Sequence, residues 1–468
     1  MSDTLMISVS GMRGLVGTDL TPELVARHAA ALGAWVREGG PRAMKGAPPE
    51  ERSVVVLGRD ARTSGAMFAQ AATAGLLSVG VDVVDLGVVP TPTVQLAVEH
   101  HRAGAGLILT ASHNPIEWNA LKFVGPDGIF LDATAGARVR ALAEEGPPRA
   151  GWDGIGERRE DPGAVERHLD AILALPVLDV AAIRSRRFHV ALDCIRGAGA
   201  TAIPQLLERL GCRVSGINLE PDGRFPRPPE PVPENLGDLG RLVRESGAAL
   251  GLAVDSDVDR LALVDETGRP IGEDYTLAFA VMAVLNRHNA KAKIPTVVVN
   301  LSTSLVVEDA ARAGGARLVR APVGEANVAR TIRDEGALIG GEGNGGVMLP
   351  DLHLGRDAPL GVALILHLLA SKRVTVSGLV AAAPQYSIVK AKGPRGPDLA
   401  RVYAGLRRRF PEAEADERDG LRLSWPDRWL HVRPSGTEPI VRLIAEAPTP
   451  TGADGLVAAG RELLQRGS

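Results

Sequence analysis

Aromatic residues make up only 3% of the 468-residue chain. The cores must therefore be filled mainly by Ala, Val and Leu, and no base-stacking platform for single-stranded nucleic acid is expected. Two cysteines, Cys194 and Cys212, cannot build a disulfide framework or a metal knuckle at that spacing; they read as buried thiols. Neither sign of charge is in excess: 53 basic and 56 acidic residues leave −3, with no basic stripe for nucleic acid and no polybasic segment for anionic lipid. The longest apolar runs, Tyr275 to Leu285 and Pro359 to Ala370, are too short to span a bilayer. Met1-Ser2-Asp3-Thr4 lacks the basic-then-apolar pattern of a signal peptide. No Walker-type lysine loop follows a strand pattern, so nucleotide-driven phosphoryl transfer is not indicated, and no Cys-His pairing supports a thiol nucleophile. The expectation is a cytoplasmic globular protein that meets small molecules, not nucleic acid or membrane.

What is abundant is Gly (54) and Pro (33), well above the usual combined share of about 12%, which calls for many tight turns. The length suggests three domains, or four compact ones. A strand, a loop and a helix recur: Val54–Leu57 before Ala66–Ser78, Phe188–Leu192 before Ile203, Leu206, Leu207 and Leu210, and Val297–Val299 before Leu305, Val306, Ala310 and Ala311. Short apolar runs alternating with amphipathic helices predict parallel sheets covered on both faces. Each unit has a second apolar run that enters a polar loop, at Thr110–Pro115, Asp255–Arg260 and Gly340–Gly346. The last stretch alternates like antiparallel strands at Leu421–Leu423 and Trp429–Val432 and ends in a helix, Gly455 to Gln465. At the front, Thr21 with Pro22 predicts a capped helix start. The fold class expected is α/β: three similar α/β domains with mixed, mostly parallel sheets and a smaller C-terminal α+β domain. Pro/Gly clusters and composition shifts divide the chain at 1–150, 151–265, 266–372 and 373–468.

Four loops carry residues suited to chemistry. Ser112, between a strand and an Asn-Pro turn with His113 and Asn114 beside it, reads as a hydroxyl presented outward, or as a plain turn residue. Asp255, Asp257 and Asp259 would share one side of an extended segment. Carboxylates gathered so repel one another unless a cation such as Mg²⁺ sits among them; the alternative is a solvated acidic turn. Arg260 adds a planar donor fork that matches phosphate. Glu342 and Asn344 lie in a flexible glycine-rich loop and can grip vicinal hydroxyls as acceptor and donor; the alternative is a plain mobile loop. Arg433, Ser435, Gly436, Thr437 and Arg442 make an anion nest matched to a phosphate dianion.

Together these loops, TASHNP, DSDVDR, GEGNGG and RPSGTEP, with Ser10-Gly11-Met12-Arg13-Gly14 at the front, resemble the α-D-phosphohexomutases in the family's order along essentially the whole chain. The resemblance implies four domains around a central cleft. It implies a phosphoserine at Ser112, and one Mg²⁺ held by that phosphate and by Asp255, Asp257 and Asp259. The reaction implied interconverts hexose 6-phosphate and hexose 1-phosphate through a hexose 1,6-bisphosphate, which also serves as activator. Arg13, Lys122 and Arg260 match positions around the transferring phosphate, with Lys122 a candidate in proton transfer; His113, beside Ser112, is a further catalytic candidate. Glu342 and Asn344 match the sugar-binding positions, and Arg433, Ser435, Gly436, Thr437 and Arg442 the clamp on the non-reacting phosphate. A monomer or homodimer acting on sugar phosphates is expected.

The chain also departs from better-known members. Gly346 and Glu325 stand where such members often have histidines, and Ala120 replaces a common glycine. The GEGNGG loop with the SGMRG start resembles the archaeal-type phosphoglucosamine mutase group, which predicts glucosamine phosphate ahead of glucose or mannose phosphate. His353 reads as a surface residue, or as a stand-in for the missing histidine. Two rivals share parts of the pattern: a phosphatase of the haloacid dehalogenase type with Asp255 as nucleophile, and a sugar-phosphate sensor that keeps only the clamp.

Overall fold

The computed structural model describes residues 5–8, 11–39, 53–288, 294–394, 398–435 and 440–466. The strands form four sheets, of seven, four, four and five strands. In the first sheet the order is Met6–Ser8, Gly11–Leu15, Trp118–Val124, Ala105–Leu109, Val54–Arg59, Asp82–Val88 and Arg158–Glu160. The second runs Leu261–Val264, Leu250–Val254, His189–Asp193, Arg213–Ile217, and the third Gly346–Met348, Ile339–Glu342, Thr296–Asn300, Arg317–Ala321. A common four-strand plan recurs in all three. The unit's first strand lies between two parallel neighbours, and an antiparallel strand closes one side. The polar loop lies in each case where the third strand of this plan ends and the chain turns back antiparallel, at 110–117, 255–260 and 343–345. Ligands of open α/β sheets gather at such carboxyl ends.

The parallel strands Ala105–Leu109, Leu250–Val254 and Thr296–Asn300 are buried along their whole length, as sheets covered on both faces require. The last sheet is antiparallel throughout, in the order Ser387–Pro394, Ile440–Ala447, Trp429–Pro434, Leu421–Ser424, Glu414–Asp416. The second and third units share one continuous apolar core, from Leu169 to Leu379. The first unit packs separate clusters on its sheet, and the last unit has its own. No single helix among the described residues is long and apolar enough to cross a membrane. The apolar run near Pro359 is the helix Ala358–Lys372, buried from Ala358 to Ala370.

Thr21 caps the helix Pro22–Arg37, its hydroxyl accepting from the Leu24 N–H at 3.4 Å. The final helix starts earlier than expected, at Pro450. Thr449 accepts from the Gly452 N–H at 3.2 Å, which repeats the Thr-Pro start signal of residues 21–22. Gly340, Gly341 and Glu342 are strand residues, not loop, and only 343–345 form the turn. The expected flexible loop is thus a tight hairpin.

Candidate active site

Ser112 is buried, 3% exposed, not presented outward as its place after a strand suggested. The acidic loop of the second unit covers it: Ser112 Oγ donates to Asp255 Oδ2 at 2.9 Å. Its backbone is left-handed, φ 48°, a conformation that a non-glycine residue holds only where the surroundings impose it. The imposing groups are visible. Arg62, 1% exposed, donates to the carbonyls of Ser112 (2.7 Å), Asn114 (2.7 Å), Pro115 (2.6 Å) and Trp118 (2.9 Å), and its Nε to Asp60 Oδ2 at 3.0 Å. Asp60 also accepts from Thr110 Oγ1 at 2.7 Å and Ser256 Oγ at 2.9 Å. Burial pushes the Asp60 carboxyl up, and the Arg62 charge opposes that. Sequence reading passed over Asp60 and Arg62. Their one signal is an Asp-x-Arg directly after a strand.

The acidic loop, 255–260, is a turn and not an extended segment; Val258 has φ 67°. The three carboxylates converge all the same, with one ligand atom from each of Asp255, Asp257 and Asp259 within 4.8 Å of the others. Convergence comes from the turn, which three N-terminal segments hold by its carbonyls. Ala198 N–H donates to Ser256 O (2.9 Å), Thr91 N–H to Asp257 O (2.8 Å) and Ala358 N–H to Val258 O (3.2 Å). Each donor lies in the first turn of a helical segment, where N–H groups have no intrahelical partner.

This donor set fits a hard divalent cation. Asp257 Oδ1 and Asp259 Oδ1 are buried without a hydrogen-bond partner among the described residues, which leaves two carboxylate oxygens to accept a cation. Burial, with Asp259 and Asp257 beside it, pushes the Asp255 carboxyl well above its usual range. Burial also opposes ionisation of Asp257, but the Lys122 ammonium and the Thr91 hydroxyl outweigh it and hold that carboxyl below the usual range. Lys122 Nζ stands 2.7 Å and Thr91 Oγ1 2.9 Å from Asp257 Oδ2.

The cationic groups gather around the same point. Arg13 Nη1 donates to Asn114 Oδ1 at 2.7 Å, joining the amino-terminal strand to the serine loop. Arg260 Nη2 donates to His113 Nδ1 at 3.0 Å, and its Nε lies 3.8 Å from Asp255 and 3.7 Å from Asp259. Burial, then Arg260 and Arg13, hold the His113 imidazole well below its usual range, so it is neutral with Nδ1 as acceptor.

Glu342 is 3% exposed. Oε1 accepts from Asn300 Nδ2 at 2.8 Å and the Gly324 N–H at 3.0 Å; Oε2 accepts from Arg356 Nη1 at 2.7 Å and Asn344 Nδ2 at 3.5 Å. Gly324 has φ 123°, open to glycine and rarely to other residues. The preceding Val323 N–H reaches Asp419 Oδ2 at 3.0 Å, and Arg433 Nε donates to that oxygen at 2.8 Å. The fourth unit is thereby tied to the segment that holds Glu342. Arg433 and Arg442 are cross-strand partners, and Arg442 Nε reaches Ser435 Oγ at 3.4 Å. Gly436 and Thr437 lie outside the described residues.

His353 is not a surface residue: it is 4% exposed. Its Nε2 and that of His168 meet Asp357 Oδ2 at 2.9 and 2.8 Å. The Gly355 N–H donates to His353 Nδ1 at 3.0 Å, so the proton of the neutral ring sits on Nε2 and is donated to the carboxylate. The group is a buried internal junction, held by hydrogen bonds from both imidazoles to one carboxylate oxygen, and its ligand atoms lie within 4.8 Å of one another.

Models of the phosphoglucomutase/phosphomannomutase family match along the chain: alpha/beta/alpha domain I at residues 5–149, domain II at 166–268, domain III at 272–386 and the C-terminal domain at 389–462. A "Phosphoglucomutase/phosphomannomutase" of Thermococcus kodakarensis is 38% identical over 461 residues, 97% of each chain. A "Probable phosphoglucosamine mutase" of Methanopyrus kandleri is 37% identical, over 94% of this chain and 93% of that one. A phosphoglucomutase/phosphomannomutase family protein of Burkholderia thailandensis has a solved structure that superposes with a TM-score of 0.84 at 26% identity, over 99% of this chain and 97% of that one. The chain belongs to the phosphoglucomutase/phosphomannomutase family and is a phosphohexomutase, an enzyme of the intramolecular phosphotransferase type.

Proposed function

We propose that the enzyme interconverts hexose 6-phosphate and hexose 1-phosphate through a phosphoserine at Ser112 and a hexose 1,6-bisphosphate, with glucosamine phosphate the preferred substrate. The observation that carries the reading is the placement of Ser112 Oγ 2.9 Å from Asp255 within the three-aspartate cluster. In the forward step the bond from phosphorus to Ser112 Oγ breaks, a bond to the sugar hydroxyl oxygen forms, and the proton that hydroxyl loses is balanced by the one Ser112 Oγ gains. In the return step the other phosphoryl group comes back to Ser112. Mg²⁺ held by Asp255, Asp257 and Asp259 would supply charge neutralisation at the transferring group. Arg13, Arg260 and Lys122 surround that group with positive charge. Glu342 is held as a carboxylate: burial opposes this, but Arg356, Asn300 and Gly324 outweigh it. Its weakest partner is the Asn344 amide at 3.5 Å, the contact a sugar hydroxyl displaces. A buried carboxylate here, with Gly346 in place of the histidine of better-known members, also suits an ammonium on the sugar. Arg433, Ser435, Gly436, Thr437 and Arg442 take the non-reacting phosphate.

A substrate panel tests both levels: glucosamine, glucose, mannose and N-acetylglucosamine phosphates, with Mg²⁺ and a trace of hexose 1,6-bisphosphate. Glucosamine phosphate is expected to lead in kcat/KM. A lead by glucose or mannose phosphate overturns the sugar assignment; no interconversion of any hexose phosphate overturns the reaction. Arg433→Ala is expected to raise KM for every active sugar phosphate alike, by roughly 10–100-fold, since a charge-assisted bond contributes about 1.5–3 kcal/mol. A rise confined to one sugar contradicts a role on the phosphate common to all.

A further inference from the structure

The stretch between the sugar loop and the helix Ala358–Lys372 holds a side chain that no motif marks. Arg356 is 8% exposed, and its guanidinium ends on three carboxylates. Nε donates to Glu325 Oε2 at 3.1 Å, Nη1 to Glu342 Oε2 at 2.7 Å and Nη2 to Asp259 Oδ2 at 2.5 Å. One planar, rigid group therefore touches the proposed sugar-binding carboxylate and a member of the aspartate cluster at once. Lysine, with one nitrogen on a flexible stem, cannot span these acceptors.

The arginine's own position is fixed by two further features. Glu325 is bonded on its other side by Gln95 Nε2 at 3.1 Å, from the helix Thr91–His100. The Arg356 stem lies over Gly346, where a Cβ would stand 2.3 Å from Arg356 Cδ and 2.8 Å from Cγ. Gly346 lies in a strand, without the left-handed backbone that would itself call for glycine. The missing side chain makes room for the arginine.

We infer that Arg356 is a positioning residue: it sets the spacing between Glu342 and Asp259, so that a sugar gripped by Glu342 arrives in register with the phosphoryl group at Ser112. This rests on the phosphoserine reading above. Misplacing a reactant by about 1 Å costs on the order of 100-fold in rate.

The test uses the full chain with Arg356→Gln, Arg356→Lys, Gly346→Ala and the Gly346→Ala/Arg356→Gln double variant. It measures kcat and KM for the hexose phosphate that leads the panel. Mg²⁺ affinity is measured by calorimetry on protein whose Ser112 phosphorylation has been matched by mass spectrometry. Arg356→Gln is expected to lower kcat/KM about 100-fold, with Mg²⁺ affinity unchanged or tighter because a competing cation has left Asp259. Arg356→Lys does not rescue. Gly346→Ala gives a similar loss by pushing the arginine aside, and the double variant loses no more than the worse single one, the signature of one shared interaction. An active wild type with Arg356→Gln within threefold of it overturns the inference alone. So does a parallel loss of Mg²⁺ affinity with additive single effects, which marks general damage to the scaffold. A wild type that interconverts no hexose phosphate overturns the inference together with the reading beneath it.

Discussion

Replacing Ser112 with alanine is expected to lower turnover of every hexose phosphate on the order of 10⁶-fold, the scale of removing a covalent nucleophile. The fold should survive. Alanine meets the same backbone strain as serine at φ 48°, and the bonds that hold the loop go to backbone carbonyls through Arg62. What disappears is the hydroxyl and its bond to Asp255, a loss of about 1 kcal/mol. Kinetics, circular dichroism and mass spectrometry of the isolated protein check this together. The phosphoryl group should be found on Ser112 and should resist hydroxylamine. A hydroxylamine-labile phosphoryl group, or near-normal turnover by Ser112→Ala, moves the nucleophile to Asp255.

Arg62→Lys should lower kcat about 100-fold, with KM for the sugar phosphate changed little. Among the described residues the Arg62 side chain hydrogen-bonds the loop that presents Ser112, the Trp118 carbonyl beyond it and the carboxylate of Asp60, and its guanidinium lies over the Phe225 ring. Its loss therefore displaces the nucleophile without altering the proposed sugar and phosphate contacts, and an error of about 1 Å is enough for that fall. The lysine variant is the informative one, because it keeps the charge beside buried Asp60. Removing the charge outright leaves a buried carboxylate without its partner, at a cost of about 3–5 kcal/mol, and confuses misfolding with misplacement. Steady-state kinetics with both sugar phosphates decides: a KM effect as large as the kcat effect shows that Arg62 does more than hold the serine loop.

Much of the architecture was legible because its signals are local. Val54–Leu57, Leu250–Val254 and Val297–Val299 are short continuous apolar runs, and they are strands buried within parallel sheets. Thr21-Pro22 announces a capped helix that begins where expected. The same Thr-Pro pair recurs at Thr449-Pro450, where the last helix starts. The polar loops were legible for a related reason: each places several chemistry-bearing residues within a few positions after an apolar run. Their conformations were not. The period-two argument brought the three aspartates to one side of an extended chain, whereas a turn with Val258 at φ 67° brings them together. That turn is imposed by N–H groups of Thr91, Ala198 and Ala358, which no window around residue 257 contains.

His353 shows the same limit. Alone it reads as a surface histidine; burial comes from His168 and the helix begun at Ala358. Glu325 was noticed only as a departure from a pattern. In the fold it is one of the carboxylates that hold Arg356 in place.

By itself the sequence determined the strand and helix content, the four-loop order and the reactive residue types, because periodicity, capping and clustering act over a few residues. Tertiary structure alone decided that Ser112 is buried against Asp255, 143 positions away, and that Arg62 reaches back over the serine loop from 50 positions earlier. It also decided that Arg356 reaches Asp259, 97 positions away, and joins it to Glu342. Buried charges must find counter-charges wherever the packed chain supplies them, and that search ignores sequence distance.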